Sequence, residues 1–504
     1  MAQAQHITPA TRAQLVQTMI QQTGEYGVVA DLSRTHQVSR QTLYAWKAQG
    51  IAALEQAFAP PVPPPVPVAR DRAILTLFIE GHNSLRDIQR CLVGTGHGRV
   101  SLSTIHAVVA EAQQRAVAWF PTHMPSTSRV LALDEIFGNR RDGAYLSMVD
   151  AHSGAVWGSW GPLAVDHESW LLLLWDAQAH GLQWEQTISD GGGAIGKACA
   201  TYAPEILHGH DIWHLLHRWG QALARLQRLH TTLDERTATV QRQADRVAAG
   251  GKPIGQHATT DVTEHQRQVD QAANRVADVQ YLGHVLHALL AVVIVGVTGL
   301  VDVATRWADL DALLALLAEV RDAATGKAQK ELAALHSATQ RARDRVLVFA
   351  ERLEPVQQIS IATLGMAAVQ ELAWAWQRRT VLGWTSDDIL AAIPADWRAV
   401  AQMLLDAWSR AVRASSQVEV WHSLVRPHLA VHRRLSAGML ALLAVYHNHR
   451  VFDRGAHRGK NPLQLSGIAD APTDWLTALG YVSTPDHPVV QIEPLPGTSM
   501  ALAA

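Results

Sequence analysis

Apolar positions recur at helical spacing through residues 8–58, stop in a proline tract, and return at helical spacing over 70–118. At residue 129 the period changes. Residues 130–136, 145–149 and 156–160 are short apolar runs separated by Arg141-Asp142-Gly143 and His152-Ser153-Gly154. That pattern predicts three neighbouring antiparallel strands. Residues 168–180, with four successive leucines, predict a helix. A fourth strand is predicted at 186–189, a helix at 194–202 and a fifth strand at 206–212. Strand signals then cease. Residues 215–249 and 260–280 are charged, heptad-like stretches joined by Gly250-Gly251-Lys252-Pro253, the pattern of an antiparallel coiled hairpin. Helical periodicity continues over 282–410, 412–425 and 440–446.

The pattern divides the chain into residues 1–58, a linker at 59–69, and segments 70–124, 125–214, 215–410, 411–468 and 469–504. The linker contains Pro60-Pro61-Val62-Pro63-Pro64-Pro65-Val66-Pro67, which can be neither helix nor inner strand and reads as a stiff extended spacer. Before it, a short helix at 27–33, a turn near His36-Gln37 and a second helix at 38–46 stand in close order. Ser39 is a natural N-cap, and Val28, Leu32, Val38, Leu43 and Trp46 would share a small core. This is either a plain helical hairpin or a helix-turn-helix whose second helix presents Arg40, Gln41 and Tyr44 to a DNA major groove. The start Leu102-Ser103-Thr104-Ile105 reads equally as a second such helix or as a connector.

Composition narrows the classes. A hydrophobic content of 48% against 17% charged residues suits globular domains with substantial cores. Two cysteines, Cys91 and Cys199, exclude a disulfide scaffold and fit a reducing cytoplasm. Residues 1–11 lack the basic start and apolar stretch of a secretory signal. Residues 282–301 have the length of a membrane span and no Asp, Glu, Lys or Arg. They also hold His284, His287 and internal glycines between charged helices, so a buried helix is expected and no membrane partner. The net charge of −2 makes no overall case for nucleic acid, but the charge is unevenly placed. Residues 1–120 carry a surplus of three positive charges and residues 415–468 a surplus of five. Phosphate backbones respond to local cationic surface.

Three acidic residues carry the candidate chemistry. Asp134 closes the run Val130-Leu131-Ala132-Leu133, Asp190 closes Thr187-Ile188-Ser189 and precedes three glycines, and Glu419 stands near the start of a late helix. A lone carboxylate at a strand end commonly caps a turn. A buried one is costly unless paired or bound to a cation. Three converging carboxylates can hold two divalent ions for phosphodiester chemistry, with Asp134 bridging both. Oxygen ligands favour Mg2+, with Mn2+ as a substitute, two ions per site. Alternation sends Glu135 to the face opposite Asp134 and away from that set.

The motifs Leu131-Ala132-Leu133-Asp134-Glu135 and Ile188-Ser189-Asp190-Gly191 make a larger pattern with Ser416-Gln417-Val418-Glu419. That last run continues through Arg426 and Arg433-Arg434-Leu435 to Tyr446-His447-Asn448, and closes on Lys460-Asn461-Pro462-Leu463. Over residues 125–468 the chain thus resembles the DDE transposases. The resemblance implies an α/β ribonuclease H-like core, a mixed five-stranded sheet with Asp134 ending its first strand and Asp190 its fourth. It also implies helix-turn-helix arms and a large all-α insertion. Asp211-Ile212-Trp213-His214 is similar to the (Cys or Asp)-x-x-His signature of Mutator-like and hAT-like transposases, whose insertion lies between the second Asp and the Glu. Here Asp190 and Glu419 stand 229 positions apart, Asp134 and Asp190 only 56. Asp211 and His214 either support the metal site or a phosphate, or form a capping pair at a helix start. Where such transposases often carry Asn three positions after the Glu, this chain has His422.

The resemblance further implies a cytoplasmic, nucleoid-associated DNA transposase acting on double-stranded DNA, its terminal inverted repeats and a target. Arg426, Arg433, Arg434, Arg450 and Lys460 are the candidate phosphate contacts beside the acid. A homodimer or larger assembly is expected, through the 215–280 hairpin. A DNA-binding regulator descended from such an enzyme, or a nuclease or resolvase on the same fold, are the alternatives. Trp374, Trp376 and Trp384 are either core residues or stacking platforms for a displaced base.

Overall fold

A computed structural model describes residues 7–58, 68–138, 143–252, 261–297, 299–432, 434–455 and 457–482. The chain divides into two compact units, residues 1–71 and 72–504. In the first, helices α1 (Pro9–Gln21), α2 (Val28–His36) and α3 (Arg40–Phe58) pack together. Gln37 takes a left-handed conformation (φ 53°) that ends α2, and Ser39 Oγ accepts the Thr42 N–H at 3.0 Å to start α3. The buried centre is Leu15, Met19 and Leu43, with Val29, Leu32, Val38 and Trp46 around it. Val29 takes the place expected of Val28, and α1 supplies two of the three most buried side chains. The pair α2–α3 is therefore completed by a third helix.

The second unit is built on a mixed five-stranded sheet. Its strands are β1 (Leu131–Phe137), β2 (Ala144–Asp150), β3 (Val156–Leu163), β4 (Gln186–Ser189) and β5 (Leu207–His210), in the spatial order β3-β2-β1-β4-β5. The first three form an antiparallel meander, whereas β4 and β5 run parallel to β1. Helices α7 (His167–Ala179) and α8 (Gly193–Tyr202) connect the later strands. With Leu131, Leu133, Leu146 and Met148 they build one apolar layer, around the fully buried Trp170. A two-residue parallel pairing of Thr127–Ser128 with Gln183–Trp184, absent from the sequence pattern, lies beside the sheet.

The other face is covered by α17 (Ser416–Val431) and α18 (Ala437–His449). The Trp421 indole donates to Ser147 Oγ at 3.1 Å, and the Leu435 N–H donates to the Tyr145 hydroxyl at 3.0 Å. Asn448, fully buried, accepts from the Val156 N–H at 2.8 Å and donates to its carbonyl at 3.0 Å. One amide thus pins α18 to the edge strand. Its neighbours His447 and His449 donate to the carbonyls of Gly154 and Pro472, so all three serve packing. Ahead of the sheet run α4 (Val68–Ile79), α5 (Leu85–Gly94) and α6 (Leu102–His123). Ser84 caps α5, Ser101 caps α6, and α6 lies along α18.

Between β5 and α17 the chain is helical. Helices α9 (Ile212–Ala248) and α10 (Val262–Leu289) pair as the expected antiparallel hairpin. They share one apolar core with α11 (Val303–Asp322), α12 (Gly326–Ala342), α13 (Val348–Leu364), α14 (Met366–Leu382), α15 (Ser386–Ala391) and α16 (Arg398–Ser409). The expected buried helix over 282–301 is corrected: α10 ends at Leu289, and beyond it Val295 and Leu300 form an isolated bridge. Past the C-cap Leu290, buried Arg306 donates to the carbonyls of Ala291 (2.7 Å) and Val292 (3.4 Å). Among the described residues no helix is long and apolar enough to cross a membrane.

Candidate metal centre

The parallel pairing of β1 with β4 is confined to Leu131↔Thr187 and Ala132↔Ile188, and β4 ends at Ser189. Beyond that point one edge of β1 is uncovered. Asp134 is therefore in the middle of its strand rather than at its end, and it sits where the neighbouring strand has run out. Continuing the register by two residues sets Asp134 beside Asp190. Asp190 occupies the turn after β4, where its Oδ1 accepts the Gly192 N–H at 2.9 Å. The glycine next to it has a reason: Gly191 has φ +91°, and a Cβ there would come within 2.4 Å of the His210 ring.

Glu419 reaches the same edge from the first turn of α17. The start of that helix is fixed by Asp211, which is 1% exposed. Asp211 caps α9 by accepting the His214 N–H at 3.1 Å, and its other oxygen accepts both the N–H and the hydroxyl of Ser415. Asp211 N–H donates to the Ser189 carbonyl at 2.8 Å, and Ile212 N–H to the Arg413 carbonyl at 2.9 Å. The Asp211 carboxylate thus ties the start of α9 to the start of α17, while its backbone N–H ties both to the end of β4. Burial pushes the Asp211 carboxyl up, but hydrogen bonds from His214 and Ser415 hold it lower still, to about 2. His214 Nδ1 lies 3.2 Å from Asp211, as a charge contact rather than an aligned hydrogen bond, and that carboxylate raises the His214 pKa. The capping role expected as one reading of Asp211 and His214 is present in the geometry.

Two groups of donors result, and they share Asp134. In one, ligand atoms of Asp134, Glu419 and His422 all lie within 4.8 Å of one another; in the other, those of Asp134, Glu135 and Asp190 do. Among the described residues no further group of three His, Cys, Asp or Glu is so arranged. Glu135 does lie on the α7 face, as alternation requires, and accepts from the Trp170 indole at 3.2 Å. Its carboxylate nonetheless comes within 4.8 Å of ligand atoms of Asp134 and Asp190, beside the cluster that alternation turns it away from. Only the backbone direction of Glu135 was legible in the pattern.

The Asp134 carboxylate is costly to ionise where it stands. Burial pushes the Asp134 carboxyl up to about 7; its bond from the Glu135 N–H (2.8 Å) opposes this, and the charges of Asp190, Glu135 and Glu419 add to it. His422 is 1% exposed, its Nδ1 is 3.6 Å from Asp134 Oδ2, and burial lowers its pKa to about 4, leaving a neutral imidazole. On the solvent side, Arg426 donates to Glu419 at 3.0 Å. Arg426 is therefore a partner of the acid here.

The other candidate residues are dispersed. Arg40, Gln41 and Tyr44 are exposed at the start of α3. Arg434 and Arg450 are exposed, and Lys460 lies on an exposed loop closed by Phe452 N–H to the Lys460 carbonyl at 2.9 Å. Arg433 lies outside the described residues. Trp376 is buried against Trp408, with ring centroids 5.7 Å apart. Trp374 and Trp384 are exposed and line a cleft of about 750 Å³ in the insertion. No protein-family model matches this chain, and no curated protein matches it.

Proposed function

We propose that the protein is a metal-dependent polynucleotidyl transferase with a ribonuclease H-like core, a DDE-type DNA transposase. The observation that carries this reading is the meeting of Asp134 with Asp190 on one side and Glu419 on the other. The first comes from β1, the second from the turn after β4, and the third from beyond a long helical insertion. The strand order β3-β2-β1-β4-β5 supports the same reading.

The donor set suits divalent cations: four carboxylates and a neutral imidazole, with a buried carboxyl that has no cationic side chain of its own among the described residues. When bound, such ions activate a water or a 3′-hydroxyl and stabilise the leaving oxygen. The chain's own residues supply the rest. Asp134 would be shared by both ions, Asp190 and Glu419 would each complete one set, and Asp211 holds α17 so that Glu419 is in place. Arg426, with Arg450 and Lys460 further along, offers cationic surface for the phosphate backbone. Arg40, Gln41 and Tyr44 of the first unit would read element ends in the major groove. Two ends must be brought together, which implies at least a dimer, with the α9–α10 hairpin the expected contact.

The test is Mg2+- or Mn2+-dependent nicking and strand transfer on duplex DNA bearing the repeats that flank the gene. Asp190→Ala and Glu419→Gln are expected to lose cleavage by at least a thousandfold, on the order of 4 kcal/mol, while still shifting the DNA in a binding assay. Full activity of Asp190→Ala overturns the reading. Nicking without strand-transfer products favours a nuclease on the same site.

A further inference from the structure

The two donor groups around Asp134 are chemically unlike. Asp134, Glu135 and Asp190 offer only oxygens. Asp134, Glu419 and His422 offer two carboxylates and a nitrogen. We propose that the centre holds two non-equivalent cations: one in an all-oxygen position completed by Glu135, the other in a mixed position with His422 as a nitrogen ligand. The inference rests on the metal-centre reading and assigns ligands within it.

The separation of Asp134 and His422 supports the mixed position. At 3.6 Å, Nδ1 and Oδ2 are too far apart for a hydrogen bond. Two donors each about 2.1 Å from one ion, at angles of 90–120°, lie about 3.0–3.6 Å apart. The other ring nitrogen, Nε2, is buried and has no hydrogen-bond partner in the protein. His422 stands three positions after Glu419 on α17, which sets both side chains on one helix face above Asp134. The Trp421 indole bond to Ser147 locks that part of the helix against β2.

Glu135 supports the other position. Its carboxylate is oriented by the Trp170 indole on the far face of the sheet and still comes within 4.8 Å of Asp134 and Asp190. Oxygen-only donors suit Mg2+, whereas an imidazole in the set favours first-row transition ions. The mixed position is accordingly the one that discriminates against Mg2+.

The experiment is electron spin-echo spectroscopy on the full-length chain with one equivalent of Mn2+ in a large excess of Mg2+. Modulation from a directly bound 14N is expected in the wild type, retained in His214→Asn and lost in His422→Asn. Mn2+ affinity in His422→Asn is expected to fall at least about tenfold, with unchanged helical content by circular dichroism. Glu135→Gln is expected to lose one of two bound Mn2+ ions in a titration while keeping the 14N modulation. Bound Mn2+ without 14N modulation in the wild type overturns the nitrogen ligand and leaves the metal centre standing. That arm does not depend on any variant folding. Modulation lost in His214→Asn instead assigns the ligand to the wrong histidine and overturns the proposal too. No Mn2+ binding at all overturns the metal-centre reading itself.

Discussion

The Asp134 edge of the sheet and the helical insertion treat buried charge in opposite ways. In the insertion, buried Arg306 directs its guanidinium at the carbonyls of Ala291 and Val292 just past α10, and half-buried Glu331 is met by both Arg218 and Arg225. In the sheet, buried Asp134 has one backbone N–H, no cationic side-chain partner among the described residues closer than a neutral imidazole, and three more carboxylates nearby. The insertion is organised for stability. The sheet edge leaves a negative site incompletely compensated, as sites that bind cations do.

The widest test of that contrast is to remove each buried charge. A carboxyl with pKa about 7 in the fold and 3.8 in the unfolded chain costs about 4 kcal/mol above neutral pH. Its folded pKa is raised, so the native state binds the extra proton, and stability of the metal-free protein falls as pH rises from about 4 to about 7. Asp134→Asn is expected to stabilise the metal-free protein by about 2–4 kcal/mol at pH 8 in a urea titration, and to erase most of that pH dependence. Equal stability of variant and wild type across the range breaks the comparison. The mirror change, Arg306→Leu, leaves two carbonyls unpaired and is expected to destabilise by about 2–4 kcal/mol.

Asp211→Ala sharpens the boundary between the two regions. It removes a helix cap and orphans the Ser415 donors, for about 2–3 kcal/mol, and it frees the start of α17. Metal affinity should therefore fall even though Asp211 belongs to neither donor group, whereas Asp211→Asn, which keeps the cap, should fall less. Calorimetric titration with Mn2+ decides between them. The smallest effect is expected at the surface of the insertion. Arg225→Gln leaves Arg218 on Glu331 and should cost under about 1 kcal/mol.

Much of the fold was legible because alternation and turn residues are local. The five strands and two connecting helices fall within a few residues of the runs that predict them, and Ser39 caps as its position suggests. What escaped was non-local. Nothing in Val130-Leu131-Ala132-Leu133-Asp134 says that β4 stops early and leaves Asp134 in mid-strand. Nothing beside Glu135 says that its carboxyl reaches round the edge. The apolar stretch at 282–301 has the composition of a helix, yet α10 ends at Leu289 and Arg306, outside the stretch, bonds the carbonyls just past that end. Ser415 offered no signal at all, because its partner Asp211 is 204 positions away.

The Asp211–Ser415 tie has a consequence in time. A chain still on the ribosome that has released β1 and β4 already carries Asp134, Glu135 and Asp190, but not Glu419 or His422. The whole insertion must be made before α17 can dock, and contacts across so long a separation form late. The nascent protein therefore passes most of its synthesis with an incomplete centre. The candidate metal ligands come together only when α17 closes over the sheet edge.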